Sequence, residues 1–204
     1  MPYKGGMKKL AALLFSALLL LAGPLAAAEL SSQDVYDLQR VEAYMNAMPP
    51  VRADFIQQTS DGQVYNGQFW LQRPGRLRFE YDNPVNNFVV ADGAFIHFWD
   101  AKMKQQTSAP IGETLADFIL QKNIRFDQNV QVTGITRQAG ILMISVVQAS
   151  DPGAGTLTLI FEDMPLQLKQ WSTADATGRV SNVSLVNPAT AAKFDPRLFS
   201  FRAP

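Results

Sequence analysis

The stretch Gly67–Asp82, GQFWLQRPGRLRFEYD, contains two alternating apolar runs around one turn. Five apolar residues of the two runs share one parity: Phe69, Leu71, Leu77, Phe79 and Tyr81. Such a period of two predicts two β-strands, each with one apolar face. Pro74 and Gly75 fit the central positions of a type II turn, because proline presets φ and glycine accepts a positive φ. The stretch therefore predicts a β-hairpin with a large apolar face.

Arg73 stands at the entrance of this turn, on the apolar parity. An arginine beside a Pro-Gly turn is most often a solvated turn residue. Alternatively, its several donors could hold backbone carbonyls of a neighbouring helix and keep a lid closed. The second interpretation makes Arg73 a candidate switch residue.

The first 28 residues have the pattern of a secretory leader. Lys4, Lys8 and Lys9 precede an apolar run, and three alanines end at Ala28. The apolar run of about 13 residues is shorter than the ~20 residues that span a bilayer. We therefore expect residues 1–28 to be a cleaved signal peptide and residues 29–204 to form a single domain.

The amino-acid composition limits the classes of partner and indicates the cellular compartment. The chain has 18 basic and 18 acidic residues, and removal of the leader takes away three lysines and no acid. Without a basic surplus, nucleic acid is not an expected partner. The chain has no cysteine, so neither disulfides nor the lipid-bearing cysteine of a bacterial lipoprotein can form. We expect an exported, soluble protein that is held together by its core.

One amphipathic helix is predicted over residues 31–48. Its apolar residues recur at spacings of three and four: Val35, Leu38, Val41, Met45 and Met48. Ser31 or Ser32 can cap its start, and two prolines follow its end. After it the sequence is mostly alternating. The predicted strands cover 51–59, 63–73, 76–81, 86–91, 94–100, 126–133, 141–149, 156–162, 166–173 and 179–185, and a short run over 198–201 closes the chain.

The strand pattern is interrupted over residues 109–122, where a short helix is predicted. Its apolar positions fall on one helical face: Ile111, Leu115, Phe118 and Ile119. Glu113 and Asp117 are expected on the opposite face. About ten sequential antiparallel strands twist and curl rather than stay flat. The predicted fold class is α+β and mainly β: an incomplete, strongly curved antiparallel barrel with helices packed inside.

Motifs of enzymatic chemistry are nearly absent from the sequence. His97 is the single histidine and shares its parity with Phe95 and Trp99. A strand histidine among aromatic residues explains it better than a base or a metal ligand, because both of those roles need partners. The sequence has no nucleophile elbow, phosphate loop or zinc-protease helix. No enzyme, cofactor or metal is predicted, although a glycosidase with two carboxylates stays open.

Large apolar residues are the remaining candidates for function. The predicted concave face comprises Phe69, Leu71, Leu77, Phe79, Tyr81, Phe88, Phe95, Leu115, Phe118 and Ile119. Such a face can be an ordinary core or the lining of a ligand cavity, and periodicity does not distinguish the two.

These residues resemble the LolA family of periplasmic lipoprotein carriers. The resemblance is carried by 53–58 (ADFIQQ), 73–81 (RPGRLRFEY), 89–93 (VVADG) with the aromatic strand after it, and the ending over 194–204. It covers the whole mature chain and is strongest over 53–100.

The resemblance implies an open β-barrel with an α-helical lid over a hydrophobic cavity. It also implies a periplasmic chaperone, acting as a monomer, that takes acylated lipoproteins from an inner-membrane exporter to an outer-membrane receptor. By position, Arg73 matches the arginine held against the lid, and Leu115–Leu120 matches the lid helix. Leu77, Phe79 and Tyr81 match cavity-facing positions. Two alternatives stay open: a carrier of another lipid, such as a glycolipid, and a sensor or scaffold with a filled core.

Overall fold

The computed structural model describes residues 30–113 and 115–203, with the side chain of Ala116 left out. The predicted signal peptide lies outside the described residues. Within them, no helix is both long enough and apolar enough to cross a membrane.

The first element is the predicted helix, α1, Ser32–Ala47. The Ser31 hydroxyl accepts a hydrogen bond from the Asp34 amide at 3.1 Å, and the Asp34 carboxylate accepts one from the Ser31 amide at 2.9 Å. This reciprocal pair is a capping box and explains where α1 begins. Leu38, Val41 and Met45 are buried, as the periodicity predicts. Val35, which was predicted on the same face, is 42% exposed.

Eleven strands follow, in one sheet. They are β1 Val51–Thr59, β2 Val64–Gln72, β3 Arg76–Tyr81, β4 Phe88–Asp92, β5 Phe95–Asp100, β6 Gln105–Pro110, β7 Val130–Gln138, β8 Ile141–Gln148, β9 Asp151–Glu162, β10 Gln167–Asp175 and β11 Val180–Thr190. Ten of these strands were predicted, with ends that differ from the observed ones by up to five residues. Strand β6 was missed, because its polar sequence, QQTSAP, lacks alternation.

The strand order is β6-β5-β4-β3-β2-β1-β11-β10-β9-β8-β7, with antiparallel neighbours throughout. Two meanders, β1–β6 and β7–β11, are thus joined where β1 pairs with β11, for example Phe55 with Leu185. Strands β6 and β7 are the two edges of the sheet. The sheet is therefore a curved barrel that is not closed, and the predicted fold class is confirmed.

This topology determines where the interruption in the strand pattern lies. Every hairpin joins neighbouring strands, whereas the segment between β6 and β7 joins the two opposite edges. Residues 111–129 must therefore cross the open side of the barrel. Within them, Leu115–Leu120 forms a short 3₁₀ helix, which we call the lid helix.

Three local predictions are corrected. The insert forms the 3₁₀ lid helix rather than an α-helix over most of 109–122. Asp117 is buried instead of solvated, and its carboxylate accepts a hydrogen bond from the Gly112 amide at 3.1 Å. The run over 198–201 is no strand, since a second 3₁₀ helix, Pro196–Phe199, begins at the Asp195 cap.

The turn between β2 and β3 also differs in detail from the prediction. It is a loop of three residues, Arg73–Gly75, flanked by the pair Gln72 and Arg76. The Arg73–Pro74 peptide bond is cis, and Gly75 has a φ of 74°. The positive φ explains the glycine, as expected.

Candidate functional site

Aromatic rings of four strands meet on the inner face of the sheet. The Phe79 ring lies 4.9 Å from both the Phe55 ring and the Phe69 ring, and 6.2 Å from Trp171. Tyr81 lies 5.1 Å from Phe55. The predicted Phe69, Phe79 and Tyr81 are therefore brought together. Phe55 and Trp171 belong to the same cluster and were missed, although Phe55 follows the alternation of β1.

The polar end of Tyr81 is satisfied within this cluster. Its hydroxyl donates to the Gln57 side-chain oxygen at 2.6 Å. Burial raises the pKa of Tyr81 to about 12, so the phenol stays neutral. The inner face thus presents no charge at this position to an apolar ligand.

The two halves of the inner face are buried to different degrees. In the half formed by β8 and β9, Ile144, Val146 and Leu159 have no exposed surface. The tyrosine of α1, Tyr44, packs edge-on against Phe161 of the same half and accepts a hydrogen bond from the Leu168 amide at 3.1 Å. Helix α1 therefore fills this half of the barrel.

The other half, formed by β3, β4 and β5, is covered less completely. Phe79, Tyr81, Val89 and Ile96 are only partly buried, and Phe98 is 37% exposed. These residues share one face, because Phe79 pairs with Val89 and Val89 with Phe98. An apolar surface with incomplete cover therefore lies inside this half.

The lid helix covers the inner face near the β2–β3 turn. Phe118, Ile119 and Leu120 are at most 3% exposed and belong to the same apolar cluster as Leu71 and Leu77. The predicted lid and sheet residues are thus in one core. This packing stabilises the lid helix in its place over the inner face.

Leu115, at the start of the lid helix, lines two clefts. One cleft, of about 1040 Å³, lies between the turns at Gly75 and Gly93 on one side and Val130 on the other. The second, of about 480 Å³, includes Tyr65. The lid helix therefore lies between two openings of the barrel.

Arg73 holds the lid helix through backbone carbonyls. Its Nε donates to the Ile119 carbonyl at 2.9 Å and its Nη2 to the Gln121 carbonyl at 2.6 Å. Nη1 donates to the Met45 carbonyl of α1. The adjacent Gly75 amide donates to the Leu120 carbonyl at 2.9 Å. The β2–β3 turn thus joins the lid helix and the end of α1, as the alternative interpretation of Arg73 requires.

Arg73 is a cation that has no counterion among the described residues. Burial lowers the pKa of Arg73, yet a guanidinium stays protonated at any ordinary pH. Among the described residues, none of the ion pairs includes Arg73. Carbonyl oxygens and water are comparable hydrogen-bond acceptors for a guanidinium. Replacing the carbonyl contacts of Arg73 by water therefore costs only a moderate free energy.

Phe88 and Phe95 do not belong to the concave face, contrary to the prediction. Phe88 pairs with Glu80 and with Trp99, which places it on the outer face of the sheet. There its ring lies 5.5 Å from Phe201 of the C-terminal segment. Phe95 shares the face of Trp99 and is 45% exposed. Apolar character alone suggested the inner face. The β3–β4 pairing keeps the parity, so Phe88 lies with Glu80 on the outer face. The β4–β5 pairing reverses the parity, so Phe95 and Trp99 lie on the outer face as well.

His97 lies on the same outer face. Its ring nitrogens contact the Ser108 hydroxyl at 2.8 Å and the Asp92 carboxylate at 3.2 Å, and its ring lies 5.2 Å from Phe201. Within the described residues no cluster of potential metal ligands exists. The contacts position the edge strand β6 and the C-terminal segment.

The fold and the site together define an open-barrel protein with a short helix packed over an apolar interior. The profile of the family described as outer membrane lipoprotein carrier protein LolA matches residues 48–202. This chain belongs to that family.

Relatives with the same description share about a quarter of their residues with this chain. The outer-membrane lipoprotein carrier protein of Methylococcus capsulatus is 26% identical over 173 residues, covering 81% of this chain and 83% of the relative. That of Methylobacillus flagellatus is 26% identical over 167 residues, covering 76% and 80%. The crystal structure of the LolA superfamily protein NE2245 from Nitrosomonas europaea is similar with a TM-score of 0.43 at 9% identity, covering 80% of this chain and 97% of that chain.

Proposed function

We propose that this protein is a soluble periplasmic chaperone, not an enzyme, that binds the acyl chains of lipoproteins inside its barrel. It takes them from an inner-membrane exporter and hands them to an outer-membrane receptor. One copy suffices, because a single chain contains the sheet, the lid helix and Arg73. The observation that carries this proposal is the partly covered inner face of β3–β5 beside a lid helix that is latched by one cation.

The energetics favour an apolar chain as the ligand. Each methylene moved out of water contributes about 0.8 kcal/mol, so an acyl chain needs cover in an aqueous compartment. Lifting Phe118, Ile119 and Leu120 out of the core costs roughly 5–9 kcal/mol at ~1.5–3 kcal/mol for each side chain. About 6–11 buried methylenes offset this cost. A membrane-length acyl chain is therefore long enough to open the lid.

Lid closure and acyl binding compete for the same inner face in this mechanism. With no ligand, the lid helix covers the apolar surface and Arg73 holds it. With an acyl chain inside, the chain replaces the apolar contacts of the lid helix and the contacts of Arg73 pass to water. The difference between the two states is small enough for a receptor to reverse it.

Extraction of cargo tests the proposal. Purified protein is incubated with inner-membrane vesicles that contain a labelled lipoprotein, and the soluble fraction is analysed for complex. We expect a complex with the acylated lipoprotein in the soluble fraction. We expect no complex with a variant of that lipoprotein in which the lipidated cysteine is replaced. If the protein takes up no lipoprotein but copurifies with a glycolipid by mass spectrometry, the cargo assignment is wrong.

A further inference from the structure

The segment that follows the lid helix is held by α1 through two side chains. The Asn46 carboxamide accepts a hydrogen bond from the Ile124 amide at 2.9 Å and donates one to the Ile124 carbonyl at 3.0 Å. One helical turn earlier, the Glu42 carboxylate accepts a hydrogen bond from the Phe126 amide at 2.7 Å. Side chains of α1 therefore bind the backbone of this segment at Ile124 and at Phe126.

The spacing of these contacts has a simple geometric reason. Residues four apart on an α-helix are separated by ~6 Å along its axis, and residues two apart in an extended chain by ~6.6 Å. Glu42 and Asn46 thus meet the Phe126 and Ile124 amides as a neighbouring strand would. This face of α1 therefore holds the segment 124–126 through two side chains that lie one helical turn apart.

This attachment is separate from the attachment of the lid helix. Ile124 and Phe126 are buried, at 0% and 5% exposed, and their polar contacts go to α1. The carbonyls of residues 119–121 bond instead to the β2–β3 turn. Between the two sets, Lys122 and Asn123 are exposed and make no hydrogen bond with the described part of the chain.

A ligand acts differently on the two attachments. An acyl chain can replace the apolar contacts of the lid helix, but it has no acceptor for the Ile124 and Phe126 amides. Leaving such amides buried without a partner costs more than the bond itself contributes. Ligand entry therefore favours movement of the lid helix and not of residues 124–126.

We propose that Glu42 and Asn46 hold Ile124–Phe126 as the fixed base of the lid, and that the lid helix turns about Lys122 and Asn123. This inference rests on the proposed function and specifies how the lid opens. Asn46 is a positioning residue: its side-chain oxygen also lies 3.4 Å from Arg73 Nη2, so the base orients the cation that latches the moving part. On opening, the hydrogen bonds of Arg73 to the Ile119 and Gln121 carbonyls break, whereas those of Asn46 to Ile124 remain.

Amide hydrogen exchange by NMR tests the two-part lid in the ligand-free protein. The Gly75 amide reports the moving contact, and the Ile124 and Phe126 amides report the base. We expect Gly75 to exchange through a local opening at least about tenfold more frequent than that of Ile124 and Phe126. If all three amides have the same free energy of opening, and if it falls in parallel for all three as denaturant is added, the proposal is wrong.

Addition of a synthetic lipopeptide with a lipidated N-terminal cysteine gives a second test. Protection of Gly75 should fall by about tenfold or more, while protection of Ile124 and Phe126 stays within about threefold. Loss of protection at all three amides also overturns the proposal. If the lipopeptide does not bind, the proposed function fails, whereas the ligand-free measurement still decides the two-part lid.

Substitutions separate the positioning role from a general effect on α1. Asn46→Ala should lower the protection of Ile124 about fivefold or more, because the amide loses its acceptor, and should make Ile124 and Gly75 open together. Alanine is the better helix former, so a weaker α1 does not explain this result. Gln33→Ala, at an exposed position in the first turn of α1, is the control and should change neither amide.

A conservative variant completes the test at the second contact. Glu42→Gln retains an oxygen acceptor and should keep Phe126 protected, whereas Glu42→Ala should not. If Asn46→Ala and Glu42→Ala leave Ile124 and Phe126 as protected as in the wild type, α1 does not hold the base.

Discussion

At the scale of single residues, the proposed mechanism assigns to Arg73 the contact that keeps the lid helix closed. It is a partly buried cation that donates hydrogen bonds to the Ile119 and Gln121 carbonyls and to two oxygens of α1. Hydrogen bonds of this charged kind contribute about 1.5–3 kcal/mol each. Their loss weakens closure without removing any apolar contact of the inner face. Arg73 therefore affects the balance between the two states more than it affects affinity.

The variant Arg73→Leu should bind lipoprotein and release it about tenfold or more slowly, because the closed state that competes with the acyl chain has lost its latch. Release is measured as transfer of a labelled lipoprotein to acceptor membranes. Arg76→Leu, in the same hairpin and without a contact to the lid helix in the described part of the chain, is the control. Release at the wild-type rate in Arg73→Leu would remove this residue from the mechanism.

The side chains of Phe79 and Phe88 test which face of the sheet binds the ligand. Phe79 lies on the inner face and Phe88 on the outer face. Phe79→Ala should weaken binding of a fluorescent fatty acid about fivefold, since part of the burial of one phenyl ring is lost. Phe88→Ala is the same truncation on the other face and should leave affinity within about twofold. A larger effect for Phe88 than for Phe79 would contradict the assignment of faces.

At the scale of elements, the β2–β3 hairpin depends on a glycine that the alternation does not explain. A Cβ atom at Gly67 would lie 1.9 Å from the Glu80 carbonyl oxygen and 2.8 Å from the Phe55 ring. Gly67→Ala should therefore lower the free energy of unfolding by about 1–3 kcal/mol or more, as other overpacked sites do. Urea denaturation measures this change.

The matched control is Gly134→Ala in β7, where the nearest atom would be 4.0 Å away. This variant should lie within about 1 kcal/mol of the wild type, since no neighbour has to move. Equal losses in the two variants would show that close packing at Gly67 is not the cause.

Helix α1 is tied to the sheet by charges at its start. The Arg137 guanidinium donates to Asp34 at 2.7 Å and to Asp37 at 2.5 Å. Hydrogen bonds from Ser31 and Arg137 lower the pKa of Asp34 to about 2, against 3.8 ordinarily. A carboxylate with a depressed folded-state pKa stabilises the protein above its unfolded pKa, and this contribution is lost as the pH falls through the folded value.

Asp34→Asn should therefore be less stable than the wild type at pH 7, and the difference should shrink between pH about 4 and about 2. Urea denaturation at a series of pH values measures the difference. Asp82→Asn removes a carboxylate that forms no side-chain hydrogen bond with the described residues, and this control should follow the wild type throughout. A difference for Asp34→Asn that does not vary with pH would assign its effect to something other than the charge.

At the scale of the whole molecule, the arrangement of the meanders makes the interior accessible. In the described part of the chain, strands of the two meanders pair with each other only at β1 and β11, and the segment 111–129 crosses the opposite side. Opening there leaves every strand pairing intact. The proposed uptake of a ligand therefore does not require any part of the sheet to unfold.

A ligand that enters the barrel should stabilise the whole fold. At a lipopeptide concentration of 100 times Kd, the gain is about 2.7 kcal/mol, which thermal denaturation detects as a rise in Tm. The same peptide without acyl chains should leave Tm unchanged, because the inner face offers it only apolar contacts. Similar shifts with both peptides would indicate that the peptide and not the acyl chain is bound.

The sequence by itself determined the helix start, most strands and the inner face of the β2–β3 hairpin. These features follow from contacts between residues a few positions apart, which leave a period in the sequence. The resemblance to the LolA family was likewise readable from the segment around Arg73, and the family profile confirms it.

Only the tertiary structure decided which faces Phe88 and Phe95 occupy and what Arg73 contacts. The face of a strand depends on its pairing across a turn, and the β3–β4 turn places Phe88 opposite Glu80. Arg73 and its acceptor Ile119 are 46 residues apart in sequence, and no local pattern reports such a contact. No local pattern reports the contacts of Glu42 and Asn46 with Ile124 and Phe126 either. These contacts form only when the segment from β6 to β7 crosses the open side of the barrel.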